Sequence, residues 1–77
     1  MLSSDLAGLP SDSARVEALR RHAARHGAIL GTSRRFRPGD TWWADVIRPG
    51  YGTIATGPTQ LHAALAAISQ FDNDRAI

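Results

Sequence analysis

The sequence predicts an α+β domain in which a three-stranded antiparallel meander packs on helices, in the order α-β-β-β-α. Three observations lead there. Two Arg-Pro-Gly turns, Arg37-Pro38-Gly39 and Arg48-Pro49-Gly50, bracket the strand-like run from Thr41 to Ile47. A capped stripe of apolar residues at helical spacing precedes them, and a second such stripe follows.

Residues 1–10 are expected as a loose arm whose Leu2, Leu6 and Leu9 can dock onto the body. Pro10-Ser11-Asp12-Ser13 opens the first helix, with Ser11 or Asp12 as the N-cap. Val16, Leu19, Ala23 and His26 recur at three- and four-residue intervals and form its inner stripe. Glu17 precedes Arg21 by four residues, the order that favours an exposed ion pair. Gly27 supplies the left-handed residue that ends the helix, with Arg25 and His26 at its negative end.

The strands are expected over Ala28–Phe36, Thr41–Ile47 and Tyr51–Thr56. Pro pre-sets the second position of each connecting turn and Gly accepts a positive φ at the third. Gly57-Pro58 then begins the second helix, with Pro58 at the first helical position, where its missing N–H costs nothing. Leu61, Ala64, Leu65, Ile68 and Phe71 form its apolar stripe. The domain is thus expected to span 11–71, with 72–77 as a frayed tail.

If each turn pairs the residues flanking its Pro-Gly, side chains sort onto two faces. Leu30, Thr32, Arg34, Phe36, Trp43, Asp45, Ile47 and Ile54 share one, which is richer in large apolar groups and is expected to meet the helices. Asp45 then needs Arg34 or a backbone donor there. The other face carries Ile29, Ser33, Arg35, Arg37, Trp42, Val46, Arg48, Tyr51 and Thr53 and is expected to face solvent. Pro-Gly favours a type II turn, which fits a two-residue hairpin poorly, so a slipped register would exchange the faces.

Composition narrows the function classes. At 77 residues there is room for one small core, and with no cysteine neither a disulfide nor a thiolate metal site can supplement it. All nine cationic side chains are arginine, each a permanently charged fork for phosphate or carboxylate. Thirteen alanines beside them fit the coding bias of a GC-rich genome. A net charge of +2 does not by itself indicate nucleic acid, but eight of the nine arginines fall between positions 15 and 48. Met1–Asp5 has neither a basic region nor a long apolar run, and nothing approaches the ~20 apolar residues of a bilayer span. A cytoplasmic protein with no membrane partner is the expectation.

The first candidate site is the arginine- and aromatic-rich sheet face, with Arg35, Arg37 and Arg48 holding phosphates or guanines and Trp42 and Tyr51 stacking. Arginines on an exposed strand equally serve to solvate its rim, and Trp, Tyr and Arg also dominate protein interfaces. The second candidate is the uncharged outer side of the second helix, Ala63, Ala66, Ala67 and Gln70, which offers close approach to a protein or to a second copy in a homodimer. Alanine is also simply the best helix former. His22 and His26 stand at i and i+4, a spacing that can grip a metal, but no third ligand of the right kind follows and no metal site is assigned. No phosphate loop, Ser-His-Asp set or close carboxylate pair is readable, so no catalytic residue, enzymatic activity or cofactor is expected.

The segments Ser33-Arg34-Arg35-Phe36-Arg37-Pro38, Trp42-Trp43-Ala44-Asp45-Val46 and Gly52-Thr53-Ile54-Ala55-Thr56, followed by an alanine-rich helix, resemble the DNA-binding domain of the ethylene-response-factor type. Relatives of that three-strand-plus-helix unit are the arm-binding domains of phage integrases. The resemblance covers roughly 33–68 and implies sheet side chains in the major groove, here Arg35, Arg37, Trp42 and Arg48. The first helix and the spacing from Phe36 to Trp42 depart from the family. The element order is also that of double-stranded-RNA-binding domains, whose basic cluster at the second helix is missing here. Two functions follow as expectations: a nucleic-acid-binding module, or alternatively a protein-binding regulator or inhibitor, in the manner of phage- or plasmid-borne proteins, that occludes a larger partner.

Overall fold

The structure, a computed structural model, describes residues 11–34 and 41–76. It shows the expected order: α1 (Asp12–Arg25), β1 (Ile29–Arg34), β2 (Trp42–Arg48), β3 (Tyr51–Gly57) and α2 (Gln60–Arg75). The arm, the first Arg-Pro-Gly turn and the end of the first expected strand at Arg35 and Phe36 lie outside the described residues.

Ser11 caps α1, its Oγ accepting from the Ala14 N–H at 3.2 Å. Gly27, at φ +72°, closes it: the Gly27 N–H donates to Ala24 O and the Ala28 N–H to Ala23 O, beside the bonds those carbonyls accept from the His26 N–H. Glu17 pairs with Arg20 at 2.9 Å, a three-residue spacing that replaces the expected Glu17–Arg21 pair.

The strands form one antiparallel sheet in the order β1-β2-β3. Arg48 pairs with Tyr51, as the second turn requires, and Gly50 takes the positive φ of +77°. The β1–β2 hairpin departs from expectation by one residue: Arg34 pairs with Trp42 and Leu30 with Val46, where the turn rule set Arg34 against Trp43. A one-residue slip moves every β1 side chain to the opposite face. Leu30 therefore joins Val46 and Ala44 against the helices.

On β2 and β3 the buried face is the reverse of the one expected, while on β1 Leu30 and Thr32 meet the helices and Ile29 faces outward as expected. Leu30, Ala44 and Val46 are buried with Val16, Leu19 and Ala23 of α1 and Ala63, Ala64, Ala67, Ile68 and Phe71 of α2. Small size decided this. Ala44 faces Ala55 across β2 and β3, and α2 presents alanines, so helix and sheet approach closely. At Gly57 the approach is such that a Cβ would lie 2.8 Å from the Ala63 backbone nitrogen. Isoleucine or tryptophan at these sheet positions would hold the layers apart.

Two boundaries of α2 are corrected. Thr59, not Gly57-Pro58, starts the helix: its Oγ1 accepts from the His62 N–H at 3.1 Å, and Pro58 precedes the cap. The expected tail from Asp72 is helical as far as Arg75, because Phe71 is fully buried and Asp72 is held by His22 and Arg75. Thr32 ties the layers together, its Oγ1 accepting from Gln60 Nε2 at 2.9 Å and Arg20 Nη2 at 3.4 Å.

Candidate binding surface

The outer face of the sheet is built from three cross-strand rows. Ile29, Ile47 and Gly52 form one, Gly31, Asp45 and Ile54 the next, and Ser33, Trp43 and Thr56 the third. Ile29, Ile47 and Ile54 are 74%, 53% and 64% exposed, the large hydrophobic side chains left most open to solvent among the described residues. Asp45 sits at the centre, half-buried, and among the described residues its carboxylate has no hydrogen-bond or ion-pair partner. Gly31 makes its placement feasible: a Cβ there would fall 2.5 Å from Asp45 Oδ1, so the carboxylate leans over the bare backbone of β1. A groove of about 300 Å³ runs between Gly31, Ser33, Trp43, Asp45 and Ile54.

The predicted arginine and aromatic site is not assembled on this face. Trp42 is partly buried against the core. Tyr51 packs on Phe71 with ring centroids 5.7 Å apart and donates its hydroxyl to Asp74 at 2.5 Å. The Arg48 guanidinium lies 5.7 Å from the centre of the Tyr51 ring and 5.5 Å from that of Phe71. Arg48 and Tyr51 do come together, but on the helix side of the sheet, where they clamp the end of α2. Arg35 and Arg37 lie outside the described residues. Of the helix candidates, Ala63 and Ala67 are fully buried core residues, so the expected outward Ala surface is corrected to Ala66 and Gln70 alone. These two line a shallow depression with Ser69 and Asn73, and Gln70 Nε2 donates to Asp74 Oδ1 at 2.9 Å.

The histidines of α1 have structural partners. His22 Nε2 is 2.8 Å from Asp72 Oδ1, and the His26 ring stands edge-on to His22 at 5.2 Å and tilted to Phe71 at 6.3 Å. Burial lowers the His26 pKa below 6.5, aided by the charges of Arg75 and His22. Burial pushes the Tyr51 hydroxyl up, and its hydrogen bond to Asp74 adds to the effect. Among the described residues no three potential metal-ligating side chains converge.

Sequence reasoning set Ile29 on the solvent face without naming it in a site, and it missed Ile47, Ile54 and Asp45 because it assigned the face by the number of large apolar groups. The signal available was complementary size: an alanine-rich helix calls for the strand positions that are also small, Ala44 and Ala55. No protein-family model matches this chain, and comparison with curated proteins and with solved structures gives no match either.

Proposed function

We propose that this chain is a small non-enzymatic binding module that docks a protein through the outer face of its sheet. The observation that carries the reading is the exposure of Ile29, Ile47 and Ile54 together on one face, where no element among the described residues covers them. Apolar side chains grouped around a central polar residue form the kind of patch that marks protein contact sites. The described part of the face carries no arginine, and Arg48 is engaged with Phe71 and Tyr51, so phosphate recognition has less support than protein recognition.

The test compares proteins retained from the native host by the immobilised wild-type chain and by an Ile47→Thr/Ile54→Thr variant with an unchanged circular dichroism spectrum. A retained protein that is lost with the variant and survives nuclease treatment supports the proposal. Retention unaffected by the variant overturns it. So does steeply salt-dependent binding of labelled DNA or RNA that disappears in an Arg35→Ala/Arg37→Ala variant.

A further inference from the structure

We infer that the outer face is built to take a lysine or arginine side chain of a partner chain, its charged end on Asp45 and its neighbours on Ile29, Ile47 and Ile54. This rests on the reading of the face as a protein-docking surface and names the chemistry of what docks.

Asp45 lies mid-way along the central strand, opposite Gly31 on one side and Ile54 on the other. Any occupant that covers the isoleucines therefore also covers the carboxylate. An apolar occupant would leave it desolvated with no partner and a neutral donor would offer only a weaker bond, whereas a cation replaces the lost water by a charge-assisted hydrogen bond. The groove beside Gly31 has room for one such side chain, and the glycine keeps the carboxylate turned towards it.

A second copy of this chain is a poor occupant. A two-fold axis through the centre of the face would set Asp45 against its own copy, and like charges at the core of an interface oppose association. Size points to a smaller occupant. Strands ~4.8 Å apart with a rise of ~3.3 Å per residue give the face roughly 15 by 20 Å. That is a flat footprint of about 300 Å², the size of a short extended segment. A short segment with a basic residue between apolar ones fits both the area and the charge.

The probes are two peptides, Ac-Val-Arg-Val-NH2 and Ac-Val-Gln-Val-NH2, titrated into the full ¹⁵N-labelled chain to millimolar concentration at low salt and followed by amide shifts. The arginine peptide is expected to shift Gly31, Asp45 and Ile54 and to bind about tenfold more tightly than the glutamine peptide. Asp45→Asn is expected to remove that preference and leave glutamine-peptide binding unchanged. Added salt is expected to weaken only the arginine peptide on the wild-type chain, a readout that does not require the variant to fold. Equal binding of the two peptides, a preference that survives Asp45→Asn, or no shift with either peptide overturns the inference. The docking reading fails separately, through retention of the same proteins by the Ile47→Thr/Ile54→Thr chain or through the salt-dependent nucleic-acid binding described above.

Discussion

His22 Nε2 and Asp72 Oδ1 meet at 2.8 Å and fasten the first helix to the end of the last across fifty residues of chain. Arg75 Nη2 reaches the same carboxylate oxygen at 3.0 Å. Burial pushes the Asp72 carboxyl up, but the hydrogen bonds from His22 and Arg75 outweigh it and hold the group below its ordinary 3.8. Asp72→Ala is expected to cost about 1 kcal/mol, less than a buried charged hydrogen bond is worth because the side chain stays 35% exposed. The unfolded chain binds this proton first as pH falls, so the contribution is complete above 3.8 and lost below it. Urea melts should show the variant converging on wild type in that acid range.

His26 predicts a second pH dependence, higher on the scale. Its folded pKa lies below 6.5, chiefly through burial, with Arg75 and His22 adding to the effect. The imidazole therefore takes up a proton more readily in the unfolded chain, and stability falls as pH drops below 6.5 towards the folded value. Replacing His26 by Asn should flatten the midpoint–pH curve below 6.5. A variant curve as steep as wild type would mean that the ring contributes nothing to the slope.

Phe71 is the keystone of the same junction. It is fully buried, meets the tilted rings of Tyr51 and His26, and lies under the guanidiniums of Arg48 and Arg75 at 5.5 and 5.2 Å from its ring centre. Phe71→Ala should cost ~3–5 kcal/mol, from lost burial and the cavity left behind. A chain of this length typically has only ~4–12 kcal/mol to lose. The circular dichroism melt is expected to shift by tens of degrees or to vanish, while Phe71→Leu retains a cooperative transition.

Legibility followed locality. Ser11, Gly27 and the Arg48–Tyr51 turn are set by residues within a few positions of one another, and each is where the sequence places it. The β1–β2 register, the buried face of the sheet and the end of α2 depend on distant residues. Leu30 comes to face Val46 through a one-residue slip, Ala44 and Ala55 are chosen by the alanines of α2, and Asp72 is held in its helix by His22. The candidate site inherited the least local of these, the choice of face, and so Trp42, Arg48 and Tyr51 gave way to Trp43, Asp45 and Ile54.

Two glycines separate packing from function. At Gly57 a Cβ would strike the Ala63 backbone nitrogen and the His62 Cβ, each at 2.8 Å, and backbone cannot step aside. Gly57→Ala is expected to cost ~2–3 kcal/mol through overpacking between β3 and α2. At Gly31 the only close atom is the end of the Asp45 side chain, which can rotate away. Gly31→Ala should change stability by less than about 1 kcal/mol, yet turn the carboxylate out of its groove. Thermal melts and amide shifts of Asp45 distinguish the two.

Ile47→Thr and Ile54→Thr close the comparison between a core and a docking surface. Each isoleucine already spends more than half its area in water, so its replacement sacrifices little burial, and threonine keeps the branched side chain that strands favour. The double variant should keep its unfolding midpoint in urea, within about 0.5 kcal/mol per site. It should also be more soluble than wild type, because the apolar patch that drives non-specific association has been broken. A loss of several kcal/mol would instead mean that the two isoleucines are buried in solution, and that another part of the chain already covers the face.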